Sequence, residues 1–348
     1  MINNNYNLSY MNNILWQTIK DKKKSSPPPI WLMRQAGRYL PEYRAIRKTF
    51  PSFMSFCYTP EKAAEVTLQP LTRFNFDAAI LFSDILTIPH ALNQNVDFIQ
   101  NEGPHLTPAL NAENSSLISY DENKLNPIYE TIKICKSKLN DTPLIGFSGA
   151  PWTLLTYMIE GKNTRNYKKT FDFLKNNPKK FEILLKKTII ACSDYLIKQI
   201  KAGVDLIKIF DSWAAYVPQE YFKLLIIEPT KQIIKNIKVL YPDVPIICFP
   251  KGVGKNYIQF CQEMPIDVIA LDHTIDLEWA KANLPDDLTF QGNLDPETLL
   301  KGGNDLIEAT ENILETLHDK RFIFNLGHGV IKETPIENIE LLINTIRK

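Results

Sequence analysis

Eight short apolar runs, separated by longer helical patterns, constrain the fold of this chain more than any other feature. They are PIWLM near 29–33, AAILFSD at 78–84, PLIGFSG at 143–149, LIKIFDS at 206–212, PIICFPKG at 245–252, DVIALDH at 267–273, TFQGNLD at 289–295 and RFIFNLGHG at 321–329. Each is nearly continuous in apolar residues instead of alternating, as expected of parallel strands covered on both faces. Between them lie helical stretches. Thr59-Pro60 puts a hydroxyl and a proline where a helix opens. A long helix from about Lys179 stops before Gly203, and TPIE sets Thr334 and Glu337 at the spacing of a capping box. Eight strands alternating with helices predict a single (β/α)8 TIM barrel, with a doubly wound open sheet as the alternative. After residue 30 there is no Pro-, Gly- or Ser-rich linker and no repeat, so one barrel domain is expected over 13–348, preceded by a poorly ordered tail at 1–12.

Charge narrows the functional classes. Forty basic side chains against thirty-nine acidic ones leave a formal charge of +1 in 348 residues. Such balance argues against a general nucleic-acid or membrane binder, so any attraction for an anion must be local. The five cysteines are scattered and contain no C-x-x-C, which points to reduced thiols and not to a disulfide frame or zinc ribbon. The first residues lack the apolar core and cleavage site of a secretory signal, and no window approaches the roughly 20 apolar residues that span a bilayer. A cytoplasmic protein without membrane attachment is expected.

The apolar runs end in chemically capable side chains: Arg34, Asp84, Ser148, Asp211-Ser212, Lys251, Asp272-His273, Asn293-Asp295 and His328. In a parallel barrel every carboxyl end opens on one face, so these groups would converge there. The plainer reading is that strand ends are polar because they reach water. The stretch PPPIWLMRQAGRYLPEYR, residues 27–44, is more pointed, because a buried-looking run stops at Arg34 with Arg38 four positions on and Gly37 between. Guanidinium groups grip carboxylates in a planar fork, and a glycine lets the backbone turn closely enough for its amides to join an anion site. A surface salt bridge with Glu42 is the plainer alternative.

PIWLMRQAGRYLPEYR and GFSGAPWTLLTYMIEG (146–161) resemble the two signature segments of the uroporphyrinogen decarboxylase family. LFSDILTIPHALNQNVDF, KIFDSWAAY, QGNLDP and FNLGHGV resemble further family segments in the same order, from about residue 13 to the C-terminus. The resemblance implies a (β/α)8 barrel with its active site at the carboxyl face of the strands, working as a homodimer. It also implies removal of CO2 from the four acetate side chains of uroporphyrinogen III to give coproporphyrinogen III in haem biosynthesis, with no cofactor and no metal. Protonating a pyrrole carbon beside an acetate-bearing carbon makes a cationic ring, which accepts the electrons released as the carboxylate leaves. The substrate serves as its own electron sink.

By the same resemblance, Asp84 lies at the centre of the macrocycle and accepts hydrogen bonds from the pyrrole N–H groups. A fixed carboxylate there favours the cationic intermediate over the neutral ground state. The alternative is that Asp84 caps the segment beginning near Ile85. Arg34, Gln35, Ala36, Gly37 and Arg38 would contact substrate, with Arg34 near the carbon to be protonated. Arginine is a poor general acid, so Arg34 reads as carboxylate holder and electrostatic partner. Tyr157 and Ser212 match family positions that touch substrate carboxylates, against a core ring and a helix cap as plainer fates. His328 matches the histidine over the substrate, and its flanking Gly327 and Gly329 are expected to leave room for a ligand. Asp211 is a weaker candidate. His273 stands where the family more often carries tryptophan. Two other functions remain open: a corrinoid- or zinc-dependent methyltransferase of the same barrel type, and an inactive porphyrinogen-binding barrel. Zinc chemistry would want thiolate or imidazole ligands near the last strands, and no cysteine follows Cys261.

Overall fold

The structure, a computed structural model, describes residues 13–99, 102–164 and 166–348; the tail expected over 1–12 lies outside them. Its centre is a seven-stranded, all-parallel sheet. In chain order the strands are β1 (Ala79–Ile80), a β2–β3 hairpin (Asn95–Ile99 and Gly103–Thr107), β4 (Leu144–Gly149), β5 (Leu206–Asp211), β6 (Ile246–Pro250), β7 (Val268–Ala270), β8 (Thr289–Leu294) and β9 (Phe322–Leu326). The parallel sheet runs β1-β4-β5-β6-β7-β8-β9, so neighbours in the sheet follow each other in sequence, as in a TIM-type barrel. The doubly wound order, which reverses partway, is absent from this sheet. Strands β4 and β6 are buried along their whole length, which is why the sequence shows apolar runs and no alternation.

Two expected strands are shorter than their apolar runs, for the same reason. Along residues 29–33 only Ile30 forms a bridge, pairing in parallel with Phe324 of β9. Pro29 has no N–H to give, while the Leu32 and Met33 amides donate to the side chains of Gln35 (3.1 Å) and Asn325 (3.0 Å). On its other side the segment meets the entry to β1, since Asp77 N–H donates to Ile30 O at 2.9 Å. Likewise β1 stops at Ile80, because the Phe82 amide donates to Thr67 Oγ1 at 3.0 Å, on the helix Pro60–Phe74. Side chains have captured donors that a longer ladder would use.

Helices cover the sheet. Pro60–Phe74 packs on Asn126–Lys138, and the 25-residue helix Pro178–Ala202 packs on β4 and on Glu228–Leu240. The long helix ends as expected at Gly203, which adopts a φ of +122°. Two cap expectations are corrected. Thr59 makes no side-chain cap; its hydroxyl donates back to Ser55 O at 2.9 Å. The last helix, Ile336–Ile346, is entered through Pro335, and Thr334 Oγ1 is buried without a partner, so TPIE forms no capping box. The antiparallel β2–β3 hairpin was not expected. Its first strand is largely exposed and carries no apolar run that would announce it.

Inside the sheet, register places Phe147, Lys208 and Ile247 at one level and Gly149, Phe210 and Phe249 at the next. The rings of Phe147 and Phe210, and of Phe210 and Phe249, meet edge to face. Lys208 is fully buried among them, its Nζ 4.9 Å from the Trp31 ring, 4.9 Å from Phe210 and 5.1 Å from Phe249. This aromatic layer packs around the lysine on one face of the sheet.

Candidate active site

The carboxyl ends of the strands gather most of the groups singled out in the sequence. Arg34 follows the bridged segment in a left-handed conformation, φ +63°, which costs a residue with a Cβ roughly 1–2 kcal/mol. The backbone is held there by its neighbours. Gln35 N–H donates to Leu32 O (3.0 Å) and Val330 N–H to Met33 O (2.9 Å), fixing the turn against the segment after β9. Arg34 and Arg38 are both exposed, whereas Asp84, Tyr157, Ser212 and His328 are partly buried.

The charges act on one another, which places them around a common space. Burial pushes Asp84 up to about 6, against the pull of the Leu86 amide and the Arg34 guanidinium. Burial also lowers Arg34, although Asp84 and Tyr157 oppose this and Arg38 adds to it. The Arg34 side chain is walled by protein yet open to the solvent of the bowl, so its desolvation is partial. Burial lifts the Tyr157 hydroxyl to about 12, with Asp84 acting in the same direction. His328 is driven down to about 3, by burial first and then by Arg34, Lys251 and His273. An imidazole in this field is neutral at any ordinary pH.

Asp84 is held by an Asx turn. Its Oδ1 accepts from Leu86 N–H at 2.8 Å, and its carbonyl accepts from the Thr87 hydroxyl at 2.8 Å. The cap alternative is thus half realised: Asp84 orders the turn before the helix Thr87–Ala91, whose cap residue is Leu86. One carboxylate oxygen fixes the side chain and the other is left for the bowl.

Residues 12–348 match the sequence profile of the family described as uroporphyrinogen decarboxylase. The chain belongs to the uroporphyrinogen decarboxylase family. Curated relatives of that name include a protein of Rickettsia bellii, 49% identical over 94% of this chain and 96% of its own. Another, from Rickettsia massiliae, is 47% identical over 92% of each chain, and one from Rhizorhabdus wittichii is 44% identical over 93% and 95%. Among solved structures, a methyltransferase from Methanosarcina mazei superposes with a TM-score of 0.78 at 16% identity, covering 96% of this chain and 97% of that one. At that identity the likeness shows the fold alone.

Within this decarboxylase-family bowl, several expected residues prove to serve the scaffold. Gln35 is fully buried, and its amide accepts from Leu32 N–H and donates to Ala78 O at 3.1 Å, so its side chain ties segment 29–33 to the entry of β1 instead of facing the bowl. Ala36 and Gly37 are half-buried. At Gly37 a Cβ would lie 2.9 Å from Arg34 O, so the glycine permits a close backbone approach. Ser212 does not cap the following turn, whose cap position is Trp213. Asp211 is buried, accepts from the Thr153 hydroxyl at 2.6 Å and is pushed up by burial to about 7. It braces the loop bearing Ser212, because Thr153 Oγ1 also accepts from Trp213 N–H. Among the remaining strand-end groups, Ser148 is buried with its hydroxyl on Gly149 O. Asn293 donates to Asp272 O and Ile275 O, and Asp295 caps the helix Pro296–Lys301.

The glycines beside His328 do something other than expected. A Cβ on Gly329 would overlap Arg34 Cδ and lie 2.6 Å from Cγ; one on Gly327 would overlap His273 N and lie 2.6 Å from its Cβ. They make room for Arg34 and for the loop after β7, not for a ligand. His273 is exposed at the bowl's edge.

Sequence reasoning missed an aromatic wall: Tyr157 lies 5.8 Å from Trp213, which lies 6.1 Å from the exposed Tyr216. It also missed Lys208, whose signal is a single charge inside the run LIKIF.

Proposed function

We propose that this chain is a uroporphyrinogen decarboxylase, converting uroporphyrinogen III to coproporphyrinogen III with loss of four CO2. The observation that carries the reading is the shared field of Asp84, Arg34, Tyr157 and His328 at one end of the sheet, in a chain of this family. We read segment 29–33 as the eighth stave, closing the barrel between β9 and β1 through the Ile30–Phe324 bridge and the Asp77–Ile30 hydrogen bond. Residues 13–348 then form one catalytic domain.

The chemistry follows from charge. Arg34 and Arg38 receive substrate carboxylates as planar forks. A proton added to a pyrrole carbon makes the ring cationic; the bond to the departing carboxylate carbon then breaks, its electron pair enters the ring, and CO2 leaves. A proton delivered to the exocyclic carbon then makes the methyl group, and the ring carbon gives up the proton it first took, which restores the neutral pyrrole. Asp84 is a carboxylate above a pH of about 6, and it stabilises the cationic ring more than the neutral one, which lowers the barrier. Tyr157 stays protonated and can donate. Neutral His328 offers a donor and an acceptor but no charge.

Homodimerisation with opposed active-site faces rests on the family resemblance and is checked by sedimentation. A cytoplasmic setting is supported by five buried, unpaired cysteines, and among the described residues no helix is long and apolar enough to cross a membrane. The deciding experiment is anaerobic incubation with uroporphyrinogen III, with chromatography of the products. Stepwise loss of four carboxyl groups is expected; unchanged substrate from folded protein refutes the reading and leaves a binding barrel.

A further inference from the structure

We propose that Lys251 is a further substrate-binding residue, an ammonium that takes a carboxylate of the macrocycle on the side of the bowl opposite segment 29–33. This rests on the function proposed above. In the strand order β6 lies four steps from that segment by either route, through β1, β4 and β5 or through β9, β8 and β7. The residues assigned to substrate follow segment 29–33, β1, β4, β5 and β9, which leaves the arc from β6 to β8 without a cation. A ring that carries carboxylates around its whole periphery needs partners there too.

The backbone presents Lys251 rigidly. Its N–H donates to Asp211 O (3.1 Å) and its carbonyl accepts from Ala215 N–H (3.1 Å). The next residue, Gly252, turns at φ +75° where a Cβ would lie 2.8 Å from Ala215 Cβ, and its N–H donates to Asp272 Oδ2 at 2.7 Å. The side chain is half-buried. Its charge acts on His328, and those of Arg34 and Asp272 act on it. Asp272 is no salt-bridge partner: its two oxygens already accept from Gly252 N–H, Tyr257 OH, Thr274 N–H and the Thr274 hydroxyl. Among the described residues no ion pair or side-chain hydrogen bond engages the Lys251 ammonium. A partly desolvated cation with no ion-pair partner, close enough to Arg34 and His328 for their charges to be felt, fits an anionic ligand.

The test compares wild type, Lys251→Met and Lys251→Arg in anaerobic initial-rate assays at two salt concentrations. Lys251→Met should raise KM for uroporphyrinogen about tenfold, equivalent to about 1.4 kcal/mol, more than it changes kcat, and should weaken the salt dependence of kcat/KM. Lys251→Arg should restore most of the loss. A merely structural role would not give this split or this rescue. Should Lys251→Met misfold, acetylation of the wild-type lysines followed by mass spectrometry supplies the answer: uroporphyrin, the oxidised non-reacting ring, should protect Lys251. An unchanged KM in folded Lys251→Met, or no protection, overturns the proposal while wild-type turnover leaves the decarboxylase reading standing. Absence of wild-type turnover would remove both.

Discussion

Replacing Asp84 with asparagine should make the protein more stable and nearly inactive, and the size of the first effect follows from the site. Burial raises the carboxyl from 3.8 to about 6. The native state therefore holds its proton more tightly than the unfolded chain does, and ionising it above that pH costs about 3 kcal/mol. Water reaching the open side of the bowl reduces this to about 2 kcal/mol. The sign is definite: the penalty is absent below the unfolded value of 3.8, grows as pH rises toward about 6, and is constant above it. Asparagine keeps an oxygen for the Leu86 amide and carries no charge. Urea unfolding at pH 7.5 should show Asp84→Asn about 2 kcal/mol more stable than wild type, and the advantage should shrink below about 1 kcal/mol at pH 4. His328 takes up its proton over this range only in the unfolded chain, equally in both proteins, and so cancels in the comparison. Turnover of uroporphyrinogen should fall at least about a hundredfold, and wild-type kcat/KM should fall about tenfold per pH unit below about 6. A variant no more stable than wild type at pH 7.5, or equally favoured at pH 4, would refute the electrostatic account of this carboxylate.

The two glycines around His328 should separate function from folding. Gly329→Ala displaces the flexible Arg34 side chain and should lower kcat/KM about tenfold, with stability changed by less than about 1 kcal/mol. Gly327→Ala meets the His273 backbone and should cost about 2 kcal/mol in urea unfolding; the reverse ranking would contradict the packing described. His328 should show no NMR titration between pH 8 and 4.5, because its folded value is about 3. The stability that its neutral form confers is present above 6.5 and lost as pH falls toward 3, so an imidazole transition near 6.5 would refute its placement. Lys208→Met should stabilise the protein by about 1–3 kcal/mol at pH 7, since burial alone lowers the lysine well below its ordinary value and no acid pairs with it; a loss of stability would show that the amine is bonded.

The strands were legible because burial on both faces erases alternation, and β4 to β9 fall inside the apolar runs that predicted them. What was not legible depended on which side chain takes a given amide. Gln35 and Asn325 take the Leu32 and Met33 amides of segment 29–33, from 3 and 292 residues away, and Thr67 takes the Phe82 amide that would extend β1, from 15 residues away. The same holds for caps: Thr59 turns back to Ser55, and Thr334 loses its helix to Pro335. At the site, residue identity pointed to chemistry, but only the fold shows that Gln35 and Asp211 brace the wall and that two glycines clear space for protein. Lys251 ranked no higher than other polar strand ends until its neighbours were known to be engaged elsewhere.

Without ligand, the bowl holds each of its groups against its charged form. Burial lowers Arg34 and Lys251, raises Asp84, and denies His328 a proton. That arrangement costs stability, and Arg34 adds backbone strain at φ +63°. A polyanion reverses the balance for the cations, because each carboxylate brought near a guanidinium or ammonium replaces lost solvation. A cationic pyrrole ring reverses it for Asp84. The neutral ring does not, so the relief on that side comes only as the reaction begins. On the function proposed above, binding draws on the arginines and catalysis on the aspartate, and this division would let a chain with a net charge of +1 hold a strongly anionic substrate while reserving the Asp84 charge for the transition state.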